Sequence, residues 1–196
     1  FQSVQREFNF NMDKDQARNT IKEKRRALTN EYIGLHSALI FNNLRDFGVF
    51  DDISRIFTYV SAYKEVDTIN IIKFCLDQGI KVCVPRVRGK EMDFVGITDF
   101  SQLKPGSFNI PEPVSDDIVV PEQSDVMLVP GIVFDRELNR VGFGGGYYDR
   151  YFMEHHDFKT IGLAYDFQVI DHIDTEEFDI GVSALCTETQ IITGGG

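Results

Sequence analysis

The sequence predicts an α/β domain of three layers, with helices on both faces of a mostly parallel central sheet. Short apolar runs rich in β-branched residues alternate along the chain with longer amphipathic stretches, which is typical of alternating strands and helices. The connections between them are short, which favours parallel strands joined by crossovers. With 196 residues, the chain is long enough to bury one core without a disulfide or a structural metal.

Two helices are expected first. Residues 13–28 are rich in helix formers and basic side chains and predict a mostly solvated helix with a basic side. For residues 22–26 in particular we expect a solvated basic face. Apolar residues at helical spacing predict a second helix over residues 30–47, ended by Gly48.

A strand–helix–strand unit follows. Residues 55–61 (RIFTYVS) and 80–84 (IKVCV) are apolar and β-branched, as strands are. Asp67 or Thr68 can cap the helix between them. We expect the two strands to be parallel, with the second stopped by Pro85.

The rest of the chain continues the alternation after an irregular stretch. Residues 89–122 hold four of the six prolines and little periodicity, so we expect short strands and loops there. Runs at 125–129 and 160–164 predict two more strands, and 145–152 opens another helix. In such sheets, ligands bind at the carboxyl ends of the strands.

Composition excludes several classes of protein. The net charge of −11 argues against a broad nucleic-acid or anionic-membrane footprint, which needs clustered Lys and Arg. No apolar run approaches the ~18 residues of a membrane span, and no signal-peptide pattern occurs. Cys75, Cys83 and Cys186 lie in apolar runs, so we expect buried reduced thiols and a cytoplasmic protein.

The organisation we expect is one domain over residues 12–196. Phe1-Gln2-Ser3 resembles what a protease site leaves behind, and Met12 could be a native start. Residues 1–11 are therefore expected to be a vector-derived or disordered N-terminal extension.

The strongest local signal is a glycine-rich segment. Residues 126–152 read VMLVPGIVFDRELNRVGFGGGYYDRYF, an apolar strand followed by a four-glycine loop and a helix-forming stretch. Backbone N–H groups in such a loop, followed by a helix N-terminus, bind phosphate, and Arg140 adds a fixed charge. The dinucleotide pattern fails because Tyr147 stands where glycine is needed, and the Walker pattern has no G-K-[ST]. The residues alone leave open a phosphate site of unnamed type or a flexible surface turn.

Further motifs recur in order over residues 14–188. These are Lys14-x-x-x-Arg18, Tyr59-x-Ser61-x-x-x-Glu65-x-x-Thr68, Val84-Pro85-Arg86, Met92-x-Phe94, Ile110-Pro111-Glu112-Pro113, Gly162-Leu163-Ala164-Tyr165-Asp166-x-Gln168, Phe178-Asp179 and Thr187-Glu188. Together with RVGFGGGYYD and its lead-in VPGIVFD, they closely resemble 5-formyltetrahydrofolate cyclo-ligases, also called 5,10-methenyltetrahydrofolate synthetases. Each of the other motifs is weak alone, whereas the glycine segment is specific.

The resemblance implies an ATP- and Mg²⁺-dependent ligase that closes 5-formyltetrahydrofolate into 5,10-methenyltetrahydrofolate. In the family, ATP phosphorylates the formyl oxygen, N10 attacks the activated carbon, and ADP and phosphate leave. The implied partner is a small folate, with or without a polyglutamate tail, and we expect a monomer. The fold implied is similar to that of sugar-phosphate isomerases and coenzyme A transferases.

The resemblance also implies roles for individual residues. Lys14 and Arg18 lie four apart on one helix face and would contact ATP, unless they are merely a solvated basic pair. Arg140 and Tyr148 are expected to be catalytic. The ATP phosphates would be surrounded by Arg140, Gly142, Phe143, Gly144, Gly145, Gly146, Tyr147 and Tyr148.

Folate and metal would be held by neighbouring residues. The stretch from Phe143 to Tyr147 would also contact the folate, together with Val60 and Glu65, although a strand valine is more often a core residue. Glu65 would hold the amino-pyrimidine edge of the pterin; otherwise it is a capping or solvated residue. Asp149 and Asp179 match the family's magnesium positions. The alternative for Asp149 is a favourable interaction with the helix dipole, and the alternative for Asp179 is that it is one more charge in an acidic run. Some family members carry a basic residue where Gly145 stands here.

Two other functions stay open on the sequence. Another enzyme on a similar scaffold, such as a sugar-phosphate isomerase, would need a catalytic base and no ATP. A non-catalytic nucleotide- or folate-binding regulator would bind its ligands without turnover.

Overall fold

The computed structural model describes residues 13–194, so the expected extension at residues 1–11 lies outside the described residues. Within this range the helices are α1 (Lys14–Arg26), α2 (Asn30–Asp46), α3 (Ile69–Asp77) and α4 (Tyr147–Glu154). Helices α1, α2 and α4 lie within two residues of their predicted bounds, and α3 begins directly after Thr68. The side chain of Asp13 caps α1, and that of Thr29 caps α2.

The main sheet has seven strands among the described residues. In spatial order they are β12 (Ile191–Thr193), β11 (Ala184–Cys186), β9 (Lys159–Leu163), β6 (Val126–Val129), β1 (Arg55–Thr58), β2 (Lys81–Arg88) and β3 (Glu91–Ile97). The five central strands are parallel, and β12 and β3 add antiparallel edges. The predicted mostly parallel sheet, including the parallel pair β1–β2, is confirmed.

Two smaller sheets accompany it. β10 (Val169–Ile170), β7 (Val133–Asp135) and β8 (Arg140–Val141) form a three-stranded sheet. β4 (Leu103–Pro105) and β5 (Pro111–Pro113) form a hairpin within the irregular stretch.

The two faces of the main sheet are covered differently. One buried cluster joins α2 and α3 to the sheet through Ile40, Leu44 and Ile72. The other face is covered partly by α4, through Tyr151 and Phe152, and partly by the three-stranded sheet. Helix α1 packs on that small sheet rather than on the main one. Helices therefore lie on both faces of the main sheet, but on the second face a small sheet accompanies the helix. The likeness to isomerase and transferase folds stays a prediction.

The prediction that Pro85 stops the second strand was wrong. β2 continues to Arg88, paired antiparallel with β3 along its length, whereas its pairing with β1 ends at Cys83. Beyond Cys83, β2 no longer pairs with β1, so no backbone N–H group of β2 is needed on that side. A proline is therefore tolerated there, as on an edge strand.

Two further expectations concern burial and membrane spans. All three cysteines are buried and free, as predicted. Among residues 13–194, no helix has both the length and the apolar character that crossing a membrane requires.

Candidate active site

A cavity of about 590 Å³ lies where β1 and β6 end. Tyr59 and Val60 follow β1, and Pro130 follows β6, so the cavity is at the carboxyl edge of the parallel sheet. Every site residue predicted from the sequence lines it: Lys14, Arg18, Val60, Glu65, Arg140, Gly142, Phe143, Gly144, Gly145, Gly146, Tyr147, Tyr148, Asp149 and Asp179. The structure brings these residues together, and their individual roles stay predictions.

The glycine loop connects β8 to α4 on one side of this cavity. Gly144 and Gly146 have φ values of 103° and 65°, and Gly146 begins the helix without a side-chain cap. Among the described residues, no backbone N–H group from Gly142 to Asp149 donates a hydrogen bond within the protein. The loop and first helical turn therefore offer a run of unpaired donors beside the cavity, which is an anion-binding arrangement.

Arg140 lies beneath this loop. Its side chain is 3% exposed and donates to Asp149 Oδ1 at 2.7 Å. The guanidinium also lies 5.6 Å from the centroid of the Tyr148 ring, while its buried Nε has no partner among the described residues. A buried cation with an unused donor is well placed to bind an anionic ligand.

Helix α1 brings two more cations to the cavity. Lys14 pairs with Asp179 and lies 3.4 Å from Glu176, and Arg18 donates from Nε to the carbonyl oxygen of Gly142 at 3.0 Å. Burial alone would raise the pKa of Asp179, but the hydrogen bond and charge of Lys14 hold it below its usual range. The pairing thus keeps this carboxylate ionised.

The two carboxylates suit Mg²⁺ by their donor chemistry. Asp149 and Asp179 line the same cavity as the unpaired N–H groups, and each is paired with a predicted phosphate-binding cation. Carboxylate oxygens are the ligands that Mg²⁺ prefers, usually one or two with phosphates and waters completing the shell. The residues present therefore fit this ion.

Across the cavity, the loop over residues 61–68 (the Glu65 loop) is tightly hydrogen-bonded. Glu65 Oε2 accepts from the Ala62 N–H at 2.8 Å, and its carbonyl accepts from the Tyr165 hydroxyl at 2.9 Å. The Tyr59 hydroxyl donates to the Val66 carbonyl at 3.0 Å. These bonds hold the Glu65 carboxyl group in one place.

The Glu65 carboxyl group is a perturbed acid. Burial raises its pKa to about 7, against the opposing effects of the Ala62 N–H and the Arg25 charge. The Tyr148 hydroxyl is buried with no hydrogen-bond partner among the described residues, and burial, then the nearby Glu65, raises its pKa well above the ordinary value. Tyr148 therefore stays protonated and has a donor available to a ligand.

Arg25 is the main residue that the sequence interpretation missed. The expectation of a solvated face over residues 22–26 is wrong for it, since it is only 3% exposed. It donates to the carbonyl oxygens of Tyr63 and Lys64 at 2.7 and 3.3 Å, and lies 5.4 Å from the Phe143 ring centroid. The spacing of Ala17, Ile21 and Arg25 on one helix face carried the signal, because the first two are buried.

Comparison with known proteins gives a consistent picture. The model of the 5-formyltetrahydrofolate cyclo-ligase family matches residues 11–188. A mouse protein named 5-formyltetrahydrofolate cyclo-ligase is 32% identical over 183 residues, covering 86% of this chain and 90% of that protein. An Escherichia coli (strain K12) protein of the same name is 27% identical over 178 residues, covering 87% and 98%.

Solved structures agree in fold as well as sequence. The NMR structure of Aquifex aeolicus 5,10-methenyltetrahydrofolate synthetase superimposes with a TM-score of 0.84 at 32% identity, covering 93% of each chain. A 5,10-methenyltetrahydrofolate synthetase from Mycoplasma pneumoniae has a TM-score of 0.73 at 26% identity, covering 90% of this chain and 99% of that one.

Proposed function

The chain belongs to the 5-formyltetrahydrofolate cyclo-ligase family, and we propose that it uses ATP to convert 5-formyltetrahydrofolate into 5,10-methenyltetrahydrofolate. ADP and phosphate would be the other products, formed through a phosphorylated formyl group. One observation carries this proposal: a single cavity holds both a run of N–H donors with no partner among the described residues and a half-buried, hydrogen-bonded carboxyl group. The first suits phosphate, and the second suits an amino-pyrimidine.

On the phosphate side, the protein would mainly position ATP and neutralise charge. The N–H groups of the glycine loop would bind phosphate oxygens, with Arg140, Lys14 and Arg18 around them. Asp149 and Asp179 would hold Mg²⁺, which supplies further neutralisation of phosphate charge. Ligand binding would then exchange the internal ion pairs of Arg140 and Lys14 for contacts with phosphate.

On the folate side, Glu65 would accept hydrogen bonds from the amino-pyrimidine edge. Two parallel N–H donors on that edge match the two oxygens of a carboxylate. Val60 and Phe143 line the same cavity and would contact the flat ring. Because the Glu65 pKa is about 7, this acceptor is fully charged only above neutral pH.

Between the two sides lies Tyr148. Its buried hydroxyl has no partner among the described residues, and its ring centroid lies 5.6 Å from the Arg140 guanidinium. We propose that it donates a hydrogen bond to the formyl oxygen or the phosphoryl group as negative charge develops there. A protonated hydroxyl at all physiological pH values suits that task.

The experiment is to follow the near-ultraviolet absorbance of methenyl product from purified protein, 5-formyltetrahydrofolate, Mg²⁺ and ATP. Product that requires both ATP and Mg²⁺ is expected. Folded protein that binds ATP without product would indicate a binding-only regulator. The absence of both ATP binding and turnover would refute the proposed chemistry.

We also propose that residues 12–196 act as one domain in a monomer, which sedimentation of the same sample tests.

A further inference from the structure

Arg25 is a buried cation that lies just behind the lining of the cavity. It reaches from α1 to two carbonyl groups of the Glu65 loop and to the Phe143 ring of the glycine loop. Tyr63, Glu65 and Phe143 all line the cavity, whereas Arg25 itself does not. One side chain thus contacts both loops that face the proposed substrate.

The Arg25 contacts fix an unusual backbone. Tyr63 and Lys64 have φ values of 48° and 61°, a left-handed conformation that non-glycine residues adopt at a cost. Their carbonyl oxygens are the ones that accept from the Arg25 guanidinium. Glu65 follows directly, so the position of its carboxyl group depends on this turn.

Arg25 is also the source of positive charge for Glu65. Within residues 13–194, the titratable groups that face the Glu65 carboxyl group are Arg25 from α1, Tyr59 after β1 and Tyr148 from α4, while the Tyr165 hydroxyl binds the Glu65 carbonyl. The three tyrosines are neutral at physiological pH because burial raises their pKa values. Among these groups, only Arg25 offsets the unfavourable burial of the Glu65 charge.

We propose that Arg25 is a positioning residue for folate binding, which aligns the Glu65 carboxyl group and the Phe143 ring through its contacts with the Glu65 loop and the glycine loop. The proposal rests on the proposed function, in which Glu65 accepts from the amino-pyrimidine. It separates Arg25 from Lys14, Arg18 and Arg140, which face the phosphates. If the Arg25 contacts only stabilised the packing of α1 against the Glu65 loop, their loss would leave the pH dependence of folate binding unchanged.

The test compares Arg25→Met, Arg25→Lys and the control Arg26→Met, whose exposed side chain is the neighbouring cation on the same helix. For each variant, kcat and the KM values for 5-formyltetrahydrofolate and ATP are measured from about pH 6 to about pH 9. Near-ultraviolet circular dichroism and thermal melting establish that each variant is folded.

For Arg25→Met we expect KM for the folate to rise ~10-fold, while KM for ATP changes less than ~2-fold. The acid limb of kcat/KM for the folate should move up by ~1 pH unit, because the charged form of Glu65 loses its cation. Arg25→Lys should return the acid limb to its original place. It should still leave the folate KM raised, since an ammonium cannot lie flat on Phe143 while donating to two carbonyls.

Three results decide the matter. A folded Arg25→Met that matches Arg26→Met in both KM and pH profile overturns the proposal. If Arg25→Met does not fold, an Arg25→Lys protein with an unchanged folate KM overturns it equally. Wild-type protein that forms no methenyl product refutes the proposed function itself, and with it the assignment on which the role of Arg25 depends.

Discussion

The glycine loop and the Glu65 loop face each other across one cavity, and they are built in opposite ways. From Gly142 to Asp149, no backbone N–H group donates a hydrogen bond to another described residue, and Phe143 to Gly145 are exposed. In the Glu65 loop, side chains from α1 and from the residues just after β1 and β9 bind successive carbonyl groups. One loop leaves its donors free, and the other has its backbone fixed from outside.

The difference follows from what each loop would recognise. Phosphates carry several acceptor oxygens and are bound by many N–H groups at once, so unpaired donors are useful there. An amino-pyrimidine edge presents a fixed pair of donors and needs one acceptor in a defined place. Fixing that acceptor in advance reduces the entropy lost on binding.

The largest effect is expected from removing the charges of the Arg140–Asp149 ion pair on the phosphate side. Arg140→Ala and Asp149→Asn should each lower kcat by ~10²–10³-fold, because transition-state charge loses its compensation. Steady-state kinetics measure this, and circular dichroism shows that the fold is intact. Arg136→Ala, an exposed arginine in the preceding turn, is the control and should act like wild type. Near-normal rates in both active-site variants would contradict the phosphate assignment.

The conformation of the glycine loop gives the next largest effect. Gly144 has φ of 103° with open space where the added methyl group would lie, so Gly144→Ala strains only the backbone. We expect KM for ATP to rise ~10-fold as the loop relaxes away from its N–H arrangement. Gly79→Ala, at φ of 74° with equally open space, is the matched control.

That control should lose stability of about 1 kcal/mol and keep its KM for ATP. Thermal melting and initial rates, measured on both variants, separate the two effects. Equal KM changes in the two variants would mean that the loop conformation has no special role in nucleotide binding.

The Glu65 loop can be tested through the pH dependence of stability. A folded-state pKa of about 7 lies above the ordinary value of 4.5, so the folded state holds its proton more tightly than the unfolded state does. Wild-type protein should therefore lose stability as pH rises through this window. Glu65→Gln has no charge to bury and should gain in melting temperature relative to wild type as pH rises from below 4.5 to above 7.

The same variant should bind folate poorly at every pH, because an amide cannot accept two hydrogen bonds in parallel from the ligand. Melting curves at several pH values and folate KM are the measurements. A melting-temperature difference that does not change with pH would contradict the assigned burial of the Glu65 charge.

The smallest expected effect comes from one outer support of the loop. Tyr165→Phe removes the 2.9 Å hydrogen bond to the Glu65 carbonyl and should cost about 1 kcal/mol of stability with a ~3-fold rise in folate KM. Tyr32→Phe is the control, since its hydroxyl has only a 3.5 Å contact with Glu188. Chemical denaturation and initial rates give both quantities. If the two variants behave alike, the loop does not depend on this bond.

Much of the fold could be predicted because its signals are local. Helices α1 and α2 begin at residues with capping side chains, and the apolar strands carry β-branched residues. The course of β2 past Pro85 could not be predicted, because it depends on where β1 stops pairing. The small sheet that shares one face was missed because its strands are only two or three residues long.

The candidate site shows the same division. The segment from Arg140 to Asp149 and the distant residues Lys14, Glu65 and Asp179 were predicted from sequence motifs, and the structure places them in one cavity. Arg25 was not predicted to be a site residue, because a charged side chain on a helix is expected to face solvent. Its burial is seen only from its tertiary contacts.

The glycine loop, the helices around it and the set of charged side chains can be predicted from the sequence, since they depend on residue type and local spacing. Which cation lies with which acid depends on the folded arrangement: Lys14 with Asp179, Arg140 with Asp149, and Arg25 behind Glu65. The reason is physical. Charge interactions and burial depend on distances between segments far apart in the chain, and those distances exist only once the sheet has brought its strand ends together.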